Sequence, residues 1–282
     1  MTISAKIICD SLGPSGVRLT SFELCYPRFI HSELMTHRAF SRNAASSRAI
    51  PIEKMLKRIQ DDPAGPIFWA ANQKGMQAVV EVSNAAKEAA QIAWLAACDE
   101  AVASSRYLAS LGIHKAIANR LTEPFQHMVT LVSATDFANF FHLRYHPAAQ
   151  QEFQALAKLM YERYHEHEPL ELREGDWHMP YIGGMEMATQ GPERLRKISV
   201  GRCARTSYVN QDGVRDVEDD IGLHDRLLAT PDSGEPGHWS PFEHVAQALP
   251  FPKPCGNFRG WVQYRKMFSN ENTTVMPKLG ER

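Results

Sequence analysis

The chain has 282 residues, 44% of them hydrophobic, and 31 basic against 32 acidic side chains, enough apolar content for one large domain or two small ones at a net charge of -1. That balance excludes a whole-protein field drawing it onto nucleic acid or anionic membrane, so any anion site is local. Its five cysteines (Cys9, Cys25, Cys98, Cys203, Cys255) form no CxxC pair for zinc or redox chemistry, which fits a reducing, cytoplasmic setting, and no run approaches the roughly 18 apolar residues of a membrane helix.

In chain order, AKIICD and VRLTSFEL bracket the turn-forming LGPSG, which predicts a β-hairpin closed by Pro27. FIHSELMTHRAF then carries Phe29, Ile30, Leu34 and Met35 at helical spacing until Ser46, Ser47 and Pro51 interrupt it, so its basic residues sit at a helix end running into a loop. Residues 75 to 165 read as a helical body. An Ala-rich helix stops at Gly112, a short helix HKAIANRL follows, and SATDFANFFHLR is a helix capped by Ser133 or Thr135. A further helix after Pro147 has Phe153, Leu156, Met160 and Tyr164 on one side, and residues 52 to 112 carry no motif and read as helical core.

Residues 166–195 lack periodicity and predict a long ordered loop, a boundary within an otherwise single domain spanning 1–282. Beyond it come a strand, ISVGRCARTSYV, a helix, DDIGLHDRLLAT, and a Gly/Pro turn. In the tail, RKMFSNENTT can be laid without a gap on HRAFSRNAAS, a partial internal repeat suggesting two related hairpin-plus-helix units. The fold class implied is α/β, with helices packed on an antiparallel or mixed sheet.

The chemistry concentrates in THRAFSRNAASSR, residues 36 to 48. Arg38, Arg42 and Arg48 are interleaved with Ser41, Asn43, Ser46 and Ser47, while small alanines allow close approach to the backbone. Guanidinium groups with hydroxyl and amide donors suit a phosphate, but composition leaves a solvated basic loop with serine caps equally open. GxGxxG, P-loop and HExxH patterns are absent, and no metal site is expected.

This stretch resembles the signature of the flavin-dependent thymidylate synthases, Arg-His-Arg, seven residues, then Ser-x-Arg: here Thr36-His37-Arg38, seven residues, Ser46, and then Arg48. Thr36 replaces the first arginine. NFFHLR with HPAAQQEF is similar to the family's Asn-x-x-x-x-Arg helix and its Ala-Gln-x-Glu, and GHWSPFEH, at 237 to 244, to its Gly-His-x-Ser-Pro-x-Glu-His. The last motif normally comes first, so the order is rotated, as a permuted or partly duplicated gene would give.

The resemblance implies flavin contacts from His37, Arg38, Asn139 and His244. It implies nucleotide contacts from Glu33, Ser46, Ser47, Arg48 and Arg144, with Arg144 also polarising the base as the catalytic residue. Glu243 would support the site or subunit packing, and Arg202, Arg205 and Ser207 could reach a flavin phosphate or merely charge a strand edge. The implied reaction moves a one-carbon unit from methylene-tetrahydrofolate to C5 of a pyrimidine nucleoside monophosphate, dUMP to dTMP above all, with FAD as cofactor and NADPH as reductant. A homotetramer with sites made by several subunits is implied too, and no nucleic-acid or membrane partner. Two alternatives stay open: hydroxymethylation or another pyrimidine substrate, which the loss of the first arginine would permit, and a non-catalytic nucleotide- or nucleic-acid-binding protein. No cysteine nucleophile is indicated, since Cys255 in PKPCGNF lacks a neighbouring histidine.

Overall fold

The computed structural model describes residues 3–75, 77–208, 216–228 and 237–272. The predicted hairpin is present: β1 (Ser4–Leu12) turns back antiparallel into β2 (Arg18–Pro27). Pro27 ends β2, and a 3-10 turn, Arg28–Ile30, leads into the single turn α1 (His31–Leu34). The expected loop from Ser41 is instead strand β3 (Ser41–Ala44), in which Ser41 and Asn43 face inward while Arg42 and Ala44 are half-buried. Polar residues on the inner face hide the usual strand alternation of apolar and polar.

Helix α2 (Ile52–Asp61) buries Met55, Leu56 and Ile59. Helix α3 (Asn84–Ser110) starts at Ser83, whose side chain accepts from the Ala86 amide, and stops as predicted at Gly112. Gly112 takes φ +78, its N–H donates to Ala109 O and that of Ile113 to Leu108 O, so glycine meets a left-handed position that a side chain would strain. The expectation of helical core here holds for little of α3: Cys98, Val102 and Ser105 are its buried residues, Trp94 and Ala101 pack partly against the core, and most of the rest is exposed. Alanine richness makes this helix through propensity without supplying an apolar face.

Helix α4 (Lys115–Ala118) runs into a 3-10 segment, Asn119–Phe125, and then comes β4 (His127–Ala134), a strand inside the expected helical body. It lies between β2 and β3 and is buried on both faces, so HMVTLVSA reads as a continuous apolar run rather than an alternating one. Ser133 therefore belongs to β4, and α5 (Ala138–Arg144) starts at Phe137 without a side-chain cap. Helix α6 (Gln151–Glu166) buries Phe153, Leu156 and Met160 as its spacing predicts.

The segment 166–195, expected as loop, holds β5 (Leu170–Glu171), β6 (Trp177–His178), α7 (Gly184–Thr189) and the start of α8 (Pro192–Arg205). Helix α8 also corrects the strand expected at ISVGRCARTSYV. Residues 198 to 204 are all buried, which erases any helical stripe, while Pro192 in the first turn starts the helix. A Cβ on Gly201 would collide with the Asp220 backbone, so glycine lets the predicted α9 (Val217–Leu227) pack closely. The Gly/Pro turn expected after it lies mostly outside the described residues, as do Thr273 and Thr274 of the repeat. A 3-10 turn, Ser240–Glu243, precedes β7 (Ala246–Ala248), the small hairpin β8 (Pro254–Cys255) and β9 (Phe258–Arg259), β10 (Trp261–Gln263) and a last 3-10 turn, Tyr264–Met267.

The strands form a mixed sheet in the order β3-β4-β2-β1-β5, with β1 and β5 parallel, and a smaller antiparallel sheet, β10-β7-β6. Phe22, Leu24, Phe40, Leu56, Phe140, Phe153 and Met160 make the main core between the large sheet and the helices α2, α5 and α6. The two sheets are joined through a buried polar chain. His178 contacts Ser11 Oγ (2.9 Å, Nδ1) and Ser21 Oγ (2.8 Å, Nε2), Ser21 bonds Ser133, and Ser133 bonds His244 Nδ1 (2.8 Å). Burial lowers both histidine pKa values to about 3, so the rings are neutral.

Candidate functional site

Ser46, Ser47 and Arg48 occupy a turn held from three sides. The Ser46 amide donates to Ser207 O (3.0 Å), the amides of Ala49 and Ile50 donate back to Ser46 O, and Asn119 Nδ2 donates to Ser47 O (2.8 Å) and Ile50 O (3.0 Å). This turn forms one wall of a cavity of about 950 Å³, to which Arg28, Arg42, Lys115 and Arg120 also contribute. Glu123 is the one carboxylate in that lining; it bonds Arg28 (2.9 Å) and lies 3.8 Å from Arg120. Lys115 Nζ donates to Ala49 O (3.0 Å) and Arg42 Nη1 to Met35 O (2.6 Å), so both bond backbone carbonyls rather than carboxylates. Arg48 is exposed and has no protein partner among the described residues. Five cations against one carboxylate make a locally positive cavity in a nearly neutral chain.

Three of these lining cations, Arg28, Lys115 and Arg120, were not singled out from sequence. The signal was there in HKAIANRL, where Lys115 and Arg120 flank an apolar turn, but nothing local ties that segment to residues seventy positions earlier. The link is Asn119, which is buried and spends its amide on the Ser46–Ile50 turn. His31 also lines this cavity; its Nδ1 bonds the Tyr26 hydroxyl (2.8 Å), and burial followed by the charges of Arg28 and Arg42 lowers its pKa to about 4.

Glu33 and Arg144 line a second cavity, about 710 Å³, together with Phe29, Phe68 and Trp94. Arg144 Nη1 donates to Glu33 Oε2 (2.7 Å), Arg144 Nε donates to His37 Nε2 (2.9 Å), and the guanidinium lies over the Phe153 ring at 4.6 Å. Burial, and then the neighbouring Arg144 and Arg42, lowers the His37 pKa to about 4. Arg144 and the Ser46–Arg48 turn thus sit on different cavities of the chain.

Arg38 and Asn139 are exposed and without protein partners among the described residues. Asn139 lines neither cavity, but its neighbours Ala138 and His142 border a third one of about 540 Å³ with Tyr145 and Tyr161. His244 is wholly buried in the polar chain, and its Nε2 has no partner among the described residues. From the same GHWSPFEH motif it is His238 and Ser240 that reach the first cavity, as does Ser207. Arg202 and Arg205 are committed elsewhere: Arg202 to Asp220 (2.9 Å) and Glu186 (2.7 Å), Arg205 to Asp220 (2.5 Å).

All five cysteines are free thiols. Burial raises Cys9 and Cys25 to about 11 and Cys203 higher still, so none of these three is a thiolate at neutral pH. Among the described residues no cluster of His, Cys, Asp or Glu could hold a metal, and no helix is long and apolar enough to cross a membrane.

Residues 19–170, just over half of the chain, match the family model described as thymidylate synthase complementing protein. No curated protein matches. Among solved structures, the UMP/dUMP methylase PolB from Streptomyces cacaoi bound with 5-Br UMP aligns at 17% identity and TM-score 0.48, covering 60% of this chain and 90% of that one. The same enzyme bound with 5-Br dUMP aligns at 18% identity and TM-score 0.44, covering 55% and 68%.

Proposed function

We propose, from the premise that this chain belongs to the thymidylate synthase complementing protein family of flavin-dependent, thymidylate synthase-like methyltransferases, that it methylates C5 of a pyrimidine nucleoside monophosphate, dUMP first. Methylene-tetrahydrofolate gives the one-carbon unit, which replaces the C5 proton, and dTMP and tetrahydrofolate leave. FAD, when bound and reduced by NADPH, would supply the hydride that completes the methyl group.

The observation that carries this reading is the positive cavity around Ser46, Ser47 and Arg48, where a guanidinium without a partner among the described residues and two adjacent serines meet one carboxylate and four further cations. Such a cavity fits phosphate, on the nucleotide and on a flavin dinucleotide alike. Arg144 keeps three N–H groups beyond those given to Glu33 and His37, and they stabilise negative charge on the pyrimidine as C5 becomes nucleophilic. No enzyme nucleophile is needed, in keeping with the protonated state of Cys9, Cys25 and Cys203.

Because Arg144 and the serine turn line separate cavities, complete sites form between subunits of a homotetramer, with the exposed Arg38 and Asn139 turned to flavin bound across the interface. Free cysteines throughout suit a cytoplasmic enzyme. Thr36, whose hydroxyl donates to Glu33 O (2.7 Å), brings no charge in place of the family arginine and leaves room for a different pyrimidine or a hydroxymethyl product. Incubation with FAD, NADPH, methylene-tetrahydrofolate and each of dUMP, UMP and dCMP decides. A product heavier by CH2 is methylation, one heavier by CH2O is hydroxymethylation, and a colourless protein that ignores FAD and makes neither is a binding protein instead.

A further inference from the structure

We infer that His37 is a positioning residue for Arg144, an acceptor that fixes the guanidinium plane without cancelling its charge. Arginine has five N–H donors in a rigid fork, and its usefulness to a ligand depends on which of them the protein occupies. Here Nε gives its proton to His37 Nε2 at 2.9 Å and Nη1 gives one to Glu33 at 2.7 Å. With the Phe153 ring beneath, at 4.6 Å from the guanidinium carbon, rotation about the long side chain is blocked on two edges and one face.

The imidazole is itself held. It meets Phe140 edge-on at 5.0 Å and Phe153 at 6.0 Å, and stacks near Phe40 at 5.8 Å. To accept from Arg144, Nε2 must carry the lone pair, so the ring is neutral with its proton on Nδ1. Burial and the guanidinium groups of Arg144 and Arg42 both favour that neutral form. A carboxylate at position 37 would grip Arg144 harder. It would also turn the Arg144–Glu33 pair, neutral as a whole, into a net negative group that repels an anionic ligand, whereas a neutral imidazole orients the guanidinium and adds no charge.

The consequence for ligand binding rests on the nucleotide reading above; the positioning itself does not. His37→Phe keeps the ring contacts and removes the acceptor, while His37→Gln sets a neutral carbonyl oxygen close to where Nε2 stood. With dUMP as the probe, isothermal titration calorimetry is expected to give about tenfold weaker binding for His37→Phe and within about twofold of wild type for His37→Gln, the size of one charge-assisted hydrogen bond. Wild-type affinity in His37→Phe, with affinity lost in Arg144→Ala, overturns the inference. Should wild type bind no dUMP, the nucleotide reading fails, and proton exchange at Arg144 Nε in 15N-arginine-labelled protein still decides the positioning. That proton is expected to exchange at least about tenfold faster in His37→Phe than in wild type or His37→Gln; equal rates in all three overturn the role.

Discussion

Laid on one another, residues 37–44 and 265–272 share a pattern and not a chemistry. In the first unit Arg38 and, further on, Arg48 are exposed and without a protein partner among the described residues, and the position after Arg42 is Asn43. In the second, Arg265 bonds Glu243 (2.5 Å) and Glu271 (2.6 Å), and Lys266 bonds Glu271 as well (2.7 Å). Glu271 falls where the first unit has Asn43. That asparagine is buried and neutral, donating to Cys203 O at 2.7 Å and accepting from Ser207 and Ser240. A carboxylate in one copy and an amide in the other decide whether the neighbouring cations are spent inside the protein or kept for a ligand. Basic residues in a motif are therefore only half of an anion site, and the other half is the absence of a carboxylate within reach.

The sharpest way to break this contrast is Arg48→Ala. It is expected to weaken nucleotide binding about a hundredfold, near 3 kcal/mol for lost charged hydrogen bonds, with flavin retained; calorimetry showing unchanged affinity would falsify the phosphate role. Arg265→Ala should do the reverse, leaving nucleotide affinity within about twofold while costing about 2 kcal/mol of stability, because Glu243 loses its ion pair and Glu271 is left to Lys266 alone. Urea unfolding measures that loss, and a variant as stable as wild type would mean the second unit's ion pairs are ornamental.

A third test uses acid. His178 and His244 have folded pKa values lowered to about 3 from an unfolded value near 6.5, His178 by burial against a small opposing effect of Asp10, His244 by burial and then by His178. Between those values the unfolded chain binds protons that the fold refuses. Their contribution is thus whole above about pH 6.5 and falls by up to about 1.4 kcal/mol per pH unit for each ring as pH drops toward 3. Unfolding free energies at successive pH values check this, and a flat profile from 6.5 to 4 contradicts it. The smallest effect belongs to Thr36→Arg. Thr36 is exposed, so stability should move by less than about 0.5 kcal/mol while any change appears in which pyrimidine the protein prefers, read from competition binding.

Legibility followed exposure of the pattern. The β1–β2 hairpin, the Gly112 stop and the buried face of α6 were readable because turn residues and period survive in the sequence. Strand β4 and the second half of α8 were not, because both are buried all round, and an element with no solvent face has no period to read. For the candidate site, the Ser46–Arg48 turn was singled out from its own residues, and the structure sets it in the wall of a cavity. Lys115 and Arg120 were not singled out since their nearness to it depends on the Asn119 amide, nor was His238, because sequence alone does not say which histidine of GHWSPFEH lines a cavity and which is buried.

Each serine between His178 and His244 can give one proton and take one, and so can each neutral imidazole. If His244 Nδ1 gives to Ser133, then Ser133 gives to Ser21, Ser21 to His178 Nε2, and His178 Nδ1 to Ser11; if Ser133 gives to His244, every link reverses. The tautomer of one ring thereby dictates that of another, three hydrogen bonds away through two serines of the large sheet. Among the described residues, only the first order leaves His244 Nε2 with an unmet lone pair rather than an unmet buried N–H, the rarer orphan, and this favours Nδ1–H on both rings.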